Sequence, residues 1–289
     1  MSRDRWGHWG EADERGALNL IGPEQVRAAV GLVRSGAVFN LAQSISARTP
    51  VPQHRAPPGH FMMRTGADYT AGARRPGGFQ FAEDTLFLPL HFGTHIDSLC
   101  HVWYDDRLYN GHAQSGIRSA GAARCGVDKL PPIVTRGVLL DLVAASGGPL
   151  PDGQAVGVDE LKRAAAAGGV TLGRGDAALL RTGWFEAHQN KPPDFDAEPG
   201  LNLEAAEWLA ECGVALIGAD NYAIEVMPFP DGAVFPVHQR LIRDYGMPLL
   251  EGLVLQPLAE AAAQAFLFMA APLRIEGATA SPLTPLAIL

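Results

Sequence analysis

Five short apolar runs most constrain what this chain can fold into: TLFLPL (85–90), GVLLDL (137–142), AALLRT (177–182), VALIGAD (214–220) and AFLFMAAPLRI (265–275). Their length and their Gly or Pro boundaries are those of buried strands. Three helical patterns lie between or before them. PEQVRAAVGLVRSG (23–36) puts Pro23 at the first helical position and Gly36 at the stop. VDELKRAAAAGG (158–169) and LNLEAAEWLAECG (201–213) each end in Gly. Strands and helices therefore intermix, and 33 Gly with 22 Pro suit the turns of a curved sheet rather than a helical bundle. The pattern predicts one α/β domain over residues 1–289, with a mixed, curved, partly barrel-like sheet flanked by helices and an N-terminal arm over about 1–22. The Pro-, Gly- and Arg-rich stretch 48–78 reads as a long loop, a common form for a lid or binding segment.

Composition narrows the function. A net charge of -8 and the lack of any Lys/Arg block argue against a nucleic-acid partner. No stretch reaches the ~18 uninterrupted apolar residues of a membrane span. The opening MSRDRWGHWGEADERG has no apolar run for a signal peptide, so a cytoplasmic location is expected. Cys100, Cys125 and Cys212 are too few for a disulfide framework, and Cys212, ending a helical pattern, reads as core.

The chemistry concentrates in HFGTHIDSLCH, residues 91–101. Nine histidines in 289 residues predict about a third of one in such a window, yet three occur beside an aspartate. If TLFLPL runs on as a strand, His91, His95 and Asp97 share one face. His95 and Asp97 would then lie ~7 Å apart at Cα, close enough to chelate one ion, but His91 and His95 ~13 Å apart. Both imidazoles reach one ion only if the chain bends at Gly93-Thr94, and Gly permits that bend. Two imidazoles and a carboxylate suit Zn²⁺, Mn²⁺ or Fe²⁺. His101, if it stays off the metal, is free to move protons near neutral pH. A chance cluster of core or surface histidines is the competing reading.

The stretch resembles the signature of the metal-dependent cyclase family, H-x-G-T-H-x-D-x-P-x-H, which includes bacterial kynurenine formamidases, isatin hydrolases and enzymes named as polyketide cyclases. The match holds at His91, Gly93, Thr94, His95, Asp97 and His101 and departs at Leu99, where the family commonly has Pro. RWGHWGEADERGALNLIGPE, LLRTGWFE, EPGLNLEAAEWLAECGVALIGADN and FPVHQRLIRDYGMPLLEGLVL are similar to further family segments. The resemblance implies a swivelling β/β/α fold. It implies metal ligation by His91, His95 and Asp97, with His101 as acid/base. It also implies that His238 and Glu251 hold a second ion with the aspartate. Core hydrogen bonding for His238, or pairing of Glu251 with Arg240 or Arg243, is the alternative for those two.

These readings combine into an expected metal-dependent hydrolase of a small amide or lactone. It would use metal-activated water, one or two Zn or Mn ions, and His101 for proton transfer. Trp103, Tyr104 and Trp184 are candidate aromatic walls for a planar substrate, or else core. Arg64, with His60 and Phe61 in the long loop, is a candidate clamp for a substrate carboxylate. Other readings are a polyketide-type cyclase on the same site, a non-haem iron oxygenase using His95, Asp97 and His238, and a structural metal site without catalysis. A cysteine hydrolase using Cys100 is disfavoured, because Cys100 and His101 would point to opposite faces of a strand. By family analogy, and because the N-terminal segment is apolar enough to pack on a partner, a homodimer or homotetramer is expected.

Overall fold

The run around GVLLDL becomes the longest strand, Ile133–Asp141, of a nine-stranded mixed sheet curled into a half-barrel. The computed structural model describes residues 4–73, 75–188, 193–230 and 232–289. Ile133–Asp141, Ala177–Arg181, Leu216–Ala219 and Leu249–Glu251 follow one another in parallel across the middle of the sheet. Parallel strands are covered on both faces. Leu179, Leu216 and Ile217 are accordingly fully buried, and Leu179→Ala would remove contacts worth about 2–5 kcal/mol. Antiparallel strands extend both flanks: Ala265–Ala270, Leu286–Ile288 and Val38–Asn40 on one side, His95–Asp97 and Ala280–Pro282 on the other.

Helices Pro23–Val30 and Val158–Ala167 pack against Ile133–Asp141. In the second, Glu160 accepts a bond from the Gly157 amide, and Leu161 and Ala164 face inward. Helix Leu203–Glu211 starts where the Asn202 side chain accepts from the Ala205 amide, an N-cap that satisfies one of the unpaired amides of the first turn. It packs on Val158–Ala167 and on a wide π-type turn, Gln239–Asp244, which continues the short helix Pro236–His238.

Several expectations change. TLFLPL does not enter the main sheet. Glu83–Phe87 pairs with Gly59–Arg64 in a separate hairpin, leaving Leu86 and Phe87 44% and 68% exposed, and the sheet strand begins only at His95. The stretch 48–78 is therefore no continuous loop. It holds the strand Gly59–Arg64 and the helix Gly66–Thr70, whose first turn is capped by Thr65 and Asp68; residue 74 lies outside the described residues. The first helix stops at Val30, not Gly36, because Leu32 and Val33 donate to the third residue back and tighten the chain into turns. The run 265–275 ends as a strand at Ala270, ahead of Pro272, which has no N–H to donate. Cys212 caps its helix half-buried rather than in the core.

The N-terminal arm, of which residues 1–3 lie outside the described residues, folds back on its own chain. Ala17, Leu18 and Leu20 join the core, and the Trp6 indole donates to the Arg243 carbonyl at 3.0 Å. Its apolar character is thus spent within the chain. Among the described residues, no helix is long and apolar enough to cross a membrane.

Candidate metal centre

His95, Ile96 and Asp97 occupy the strand between Leu249–Glu251 and Ala280–Pro282. Alternation sends Ile96 into the core and turns His95 and Asp97 to the opposite face. Glu251 stands directly across from His95 in the antiparallel register, so their side chains meet: Nε2 to Oε2 is 3.1 Å. The strand thus delivers three of the expected donors by register alone.

His91 arrives by the bend the sequence required. Gly93 has φ +57°, a left-handed conformation open to glycine, and it folds His91 back until the His91 and His95 ring centroids lie 5.2 Å apart. Thr94 pins that turn by donating its hydroxyl to the Gly252 carbonyl at 2.6 Å, and the Gln43 amide binds the same oxygen. Gly252, itself at φ +68°, lies so close that an added Cβ would sit 2.6 Å from the Gly93 carbonyl oxygen. His91 Nδ1 then lies 2.8 Å from Asp97 Oδ1, and His101 Nε2 3.8 Å from Asp97 Oδ2.

His238 ends the short helix before the π-type turn. Its Nε2 lies 3.1 Å from Glu251 Oε1 and 3.8 Å from Asp97 Oδ2. Its Nδ1 meets Glu225 at 2.6 Å, and Glu225 also accepts the backbone amides of Val237 and His238. Sequence reasoning did not single out Glu225. Its signal, one acidic residue thirteen positions before a candidate ligand, has no local pattern to mark it.

All six expected ligand and acid/base residues therefore converge. The ligand atoms form two overlapping groups, His95 with Asp97 and Glu251, and His91 with Asp97 and His101, each within 4.8 Å and sharing Asp97. This differs from the expected grouping of His91 with His95. Burial is nearly complete, with side-chain exposure of 1% for His95 and Asp97, 4% for His238 and 5% for Glu251, whereas His101 is 27% exposed. Burial pulls the Asp97 carboxyl up, but His101, His91 and His95 outweigh it and hold the group well below the carboxylate range. Burial likewise opposes ionisation of Glu251 and His238, yet His238 and His95 hold Glu251 down while Glu225 and Glu251 raise His238. Burial pushes His101 down to about 4.

The residues fit a cation. His91 Nδ1, His95 Nε2 and both Asp97 oxygens are buried without a hydrogen bond, although they crowd within a few ångströms of each other. Close approach without hydrogen-bonding alignment means the atoms do not satisfy one another. Buried polar atoms in that state are costly unless an ion or water takes them up. Imidazole and carboxylate donors together suit zinc, manganese or iron.

The cavity over the cluster is about 10 Å³, room for roughly one water. Its walls are Pro50, Val51 and Pro52, the rings of Phe185, Phe195 and Tyr222, and the donors themselves. Of the expected substrate contacts, Trp184 lies fully buried behind Phe185 and Phe195. Tyr104 donates to Asp244 at 2.7 Å and carries the Arg243 guanidinium on its ring. Arg64 sits over Phe81 at the end of the hairpin, and Trp103 is 40% exposed. None of these four lines the cavity. The guanidinium that does approach is Arg55, which donates to the His91 carbonyl and rests 4.9 Å from the Tyr222 ring centre. Cys100 is buried, its thiol pushed up to about 11, a poor nucleophile.

A curled mixed sheet presenting a buried His, Asp and Glu cluster defines an α/β protein whose donors are placed where they could hold a metal ion. The chain belongs to the cyclase family: the family model described as "Putative cyclase" matches residues 39–226. A crystal structure of "a novel cyclase" shares 37% identity over 99% of both chains, with a TM-score of 0.93. Isatin hydrolase A from Ralstonia solanacearum shares the fold at 22% identity, covering 87% of this chain and 91% of its own, with a TM-score of 0.65. A potential metal-dependent hydrolase with cyclase activity does so at 19% identity, over 87% and 98%, with a TM-score of 0.56. No curated protein matches this sequence.

Proposed function

We propose that this protein is a metal-dependent hydrolase of a small amide, cyclic amide or lactone. The reading rests on one observation: the buried imidazole and carboxylate atoms around Asp97 that have no hydrogen-bond partner. Asp97 would sit between the two donor groups, with His95, Glu251 and His238 on one side and His91 on the other, holding one or two Zn or Mn ions. A divalent cation bound there supplies Lewis acidity, polarising a carbonyl and acidifying water. Glu225 fixes which His238 nitrogen faces the cluster, a typical carboxylate–histidine arrangement. Phe185, Phe195 and Tyr222 flank a planar substrate and exclude bulk water.

His101 is the most exposed donor, at the rim of the cluster with its Nε2 3.8 Å from Asp97 Oδ2. Its Nε2 accepts the proton of the attacking water as the water oxygen bonds the carbonyl carbon. It then returns that proton to the leaving nitrogen or oxygen as that bond breaks. Space beside the donors for about one water leaves room for the attacking nucleophile.

The test is His101→Ala, assayed by elemental analysis and by turnover of N-formyl amides, cyclic imides and lactones. Metal content should persist while turnover falls on the order of 10²–10⁴-fold. Loss of metal on that substitution would make His101 a ligand beside His91 and Asp97 and remove its acid/base role.

A further inference from the structure

The cavity over the metal centre has an uneven wall. Apart from the imidazoles and the carboxylate already described, its lining is proline, valine, phenylalanine and glycine, none with a side chain that can donate a hydrogen bond. Tyr222 is the exception. Its ring is fixed from several sides. The Arg55 guanidinium lies 4.9 Å from the ring centre and also donates to the His91 carbonyl, which ties the ring to the backbone of a candidate ligand. Phe195 meets the ring edge-on, with centroids 5.1 Å apart and planes at 81°. The Tyr222 and Ala223 amides donate to Glu198 at 3.0 and 2.6 Å, which fixes the backbone beneath. The hydroxyl is left over. Tyr69, Tyr104 and Tyr109 each spend theirs on a carbonyl or carboxylate oxygen, whereas that of Tyr222 has no partner among the described residues. Phenylalanine would make the same ring contacts, so packing does not account for the oxygen.

We infer that Tyr222 is a further catalytic residue, its phenol donating a hydrogen bond to the substrate's carbonyl oxygen as negative charge develops there. The assignment rests on the hydrolase reading and deepens it. As the water oxygen bonds the carbonyl carbon, one electron pair of the C=O bond moves onto the oxygen, and the phenol O–H meets that charge. When the bond to the leaving nitrogen or oxygen breaks and His101 returns the proton, the pair moves back and the carbonyl re-forms. The phenol keeps its own proton throughout. A phenol ordinarily titrates near ~10 and so is a donor at neutral pH. Burial raises Tyr222 above that value; the Arg55 cation opposes the rise, and the Glu251 and Asp97 charges add to it. A donor already held in place needs no reorganisation when the charge appears, and fixed donors of this kind supply large parts of the rate enhancement in acyl transfer. The stacked guanidinium, the Phe195 edge and the Glu198 anchor provide that fixity.

The test compares Tyr222→Phe with the wild type, both loaded with Zn²⁺. The hydroxyl bonds nothing in the chain, so the variant should keep its metal content by elemental analysis and its Tm. Methylphosphonate, a small tetrahedral anion, is the binding probe, read by calorimetry. Its Kd should rise about tenfold or more in the variant, the loss of one hydrogen bond to a charged group. On any amide or lactone that the wild type turns over, kcat and kcat/KM should fall together, on the order of 10²–10³-fold, with KM unchanged. An unchanged Kd or an unchanged kcat in the folded, metal-loaded variant would overturn the assignment, as would a wild type that does not bind the probe. Loss of metal or a lowered Tm on Tyr222→Phe would make Tyr222 a packing residue and overturn it equally. A wild type that binds methylphosphonate through Tyr222 yet hydrolyses none of the N-formyl amides, cyclic imides and lactones would sink the hydrolase reading while supporting the phenol as the anion's donor.

Discussion

Glu225 accepts three bonds from two consecutive residues, the Val237 amide, the His238 amide and His238 Nδ1. Each donor is buried, so each would lose its partner if the carboxylate were removed. Glu225→Ala should therefore destabilise the fold by a few kcal/mol, at about 1–3 kcal/mol for a stranded buried group. It should also weaken metal affinity about 10–100-fold, because His238 loses the contact that sets its tautomer. Competitive zinc titration checks this, and an unchanged affinity would separate His238 from the metal. The contrast in legibility between these residues is physical. His91, His95, Asp97 and His101 sit within eleven positions, where composition alone made them improbable. Glu225 and Tyr222 reach the site through a loop fixed by Glu198, which accepts the Tyr222 and Ala223 amides. Nothing local in the sequence reports a tertiary anchor of that kind.

At the scale of elements, two glycines hold the centre together by different means. Gly93 supplies a left-handed bend, but a Cβ there would meet nothing closer than 3.7 Å. Gly252 supplies a left-handed conformation and a close approach, with the Gly93 oxygen 2.6 Å from where a Cβ would stand. Gly93→Ala should then lose only the conformational term, about 1–2 kcal/mol. Gly252→Ala should lose more than that and should also weaken metal binding, because the end of Leu249–Glu251 must back away from the turn that carries His91. Urea melts of both variants with and without metal decide it; equal losses would mean the close approach is not structural. The sequence pattern anticipated the bend at Gly93 but not the partner it packs on. It likewise marked TLFLPL as a strand without revealing which sheet it joins. Apolar runs report burial or its absence only through neighbours, and among the described residues Leu86 and Phe87 stay 44% and 68% exposed. The central parallel strands were legible because burial on both faces leaves an unbroken apolar run.

Across the whole molecule, the site is assembled from segments that lie far apart in sequence, 91–101 and 225–251, brought together by the antiparallel pairing of His95–Asp97 with Leu249–Glu251. Asp97 and Glu251 are two nearly fully buried carboxylates in one cluster, and burial together with the Asp97 charge pushes the Glu251 pKa up against the pull of the histidines. A bound cation offsets that repulsion and takes up the orphaned donor atoms, so occupancy should stabilise the entire fold rather than the site alone. Binding only to the native state contributes about 2.7 kcal/mol at a free metal concentration of 100 Kd. For a chain of this size, about 2–4 °C per kcal/mol translates that into a rise of roughly 5–10 °C in Tm. Stripping the protein with a chelator and then restoring Zn²⁺ or Mn²⁺ should move the melting midpoint down and back by that amount. In Asp97→Asn, which keeps the shape of the side chain but halves its ligating oxygens, the midpoint should stop responding to metal. A midpoint indifferent to chelation in the wild type would mean that the buried cluster is held by its own hydrogen bonds, and that the hydrolase proposed from it has no ion to work with.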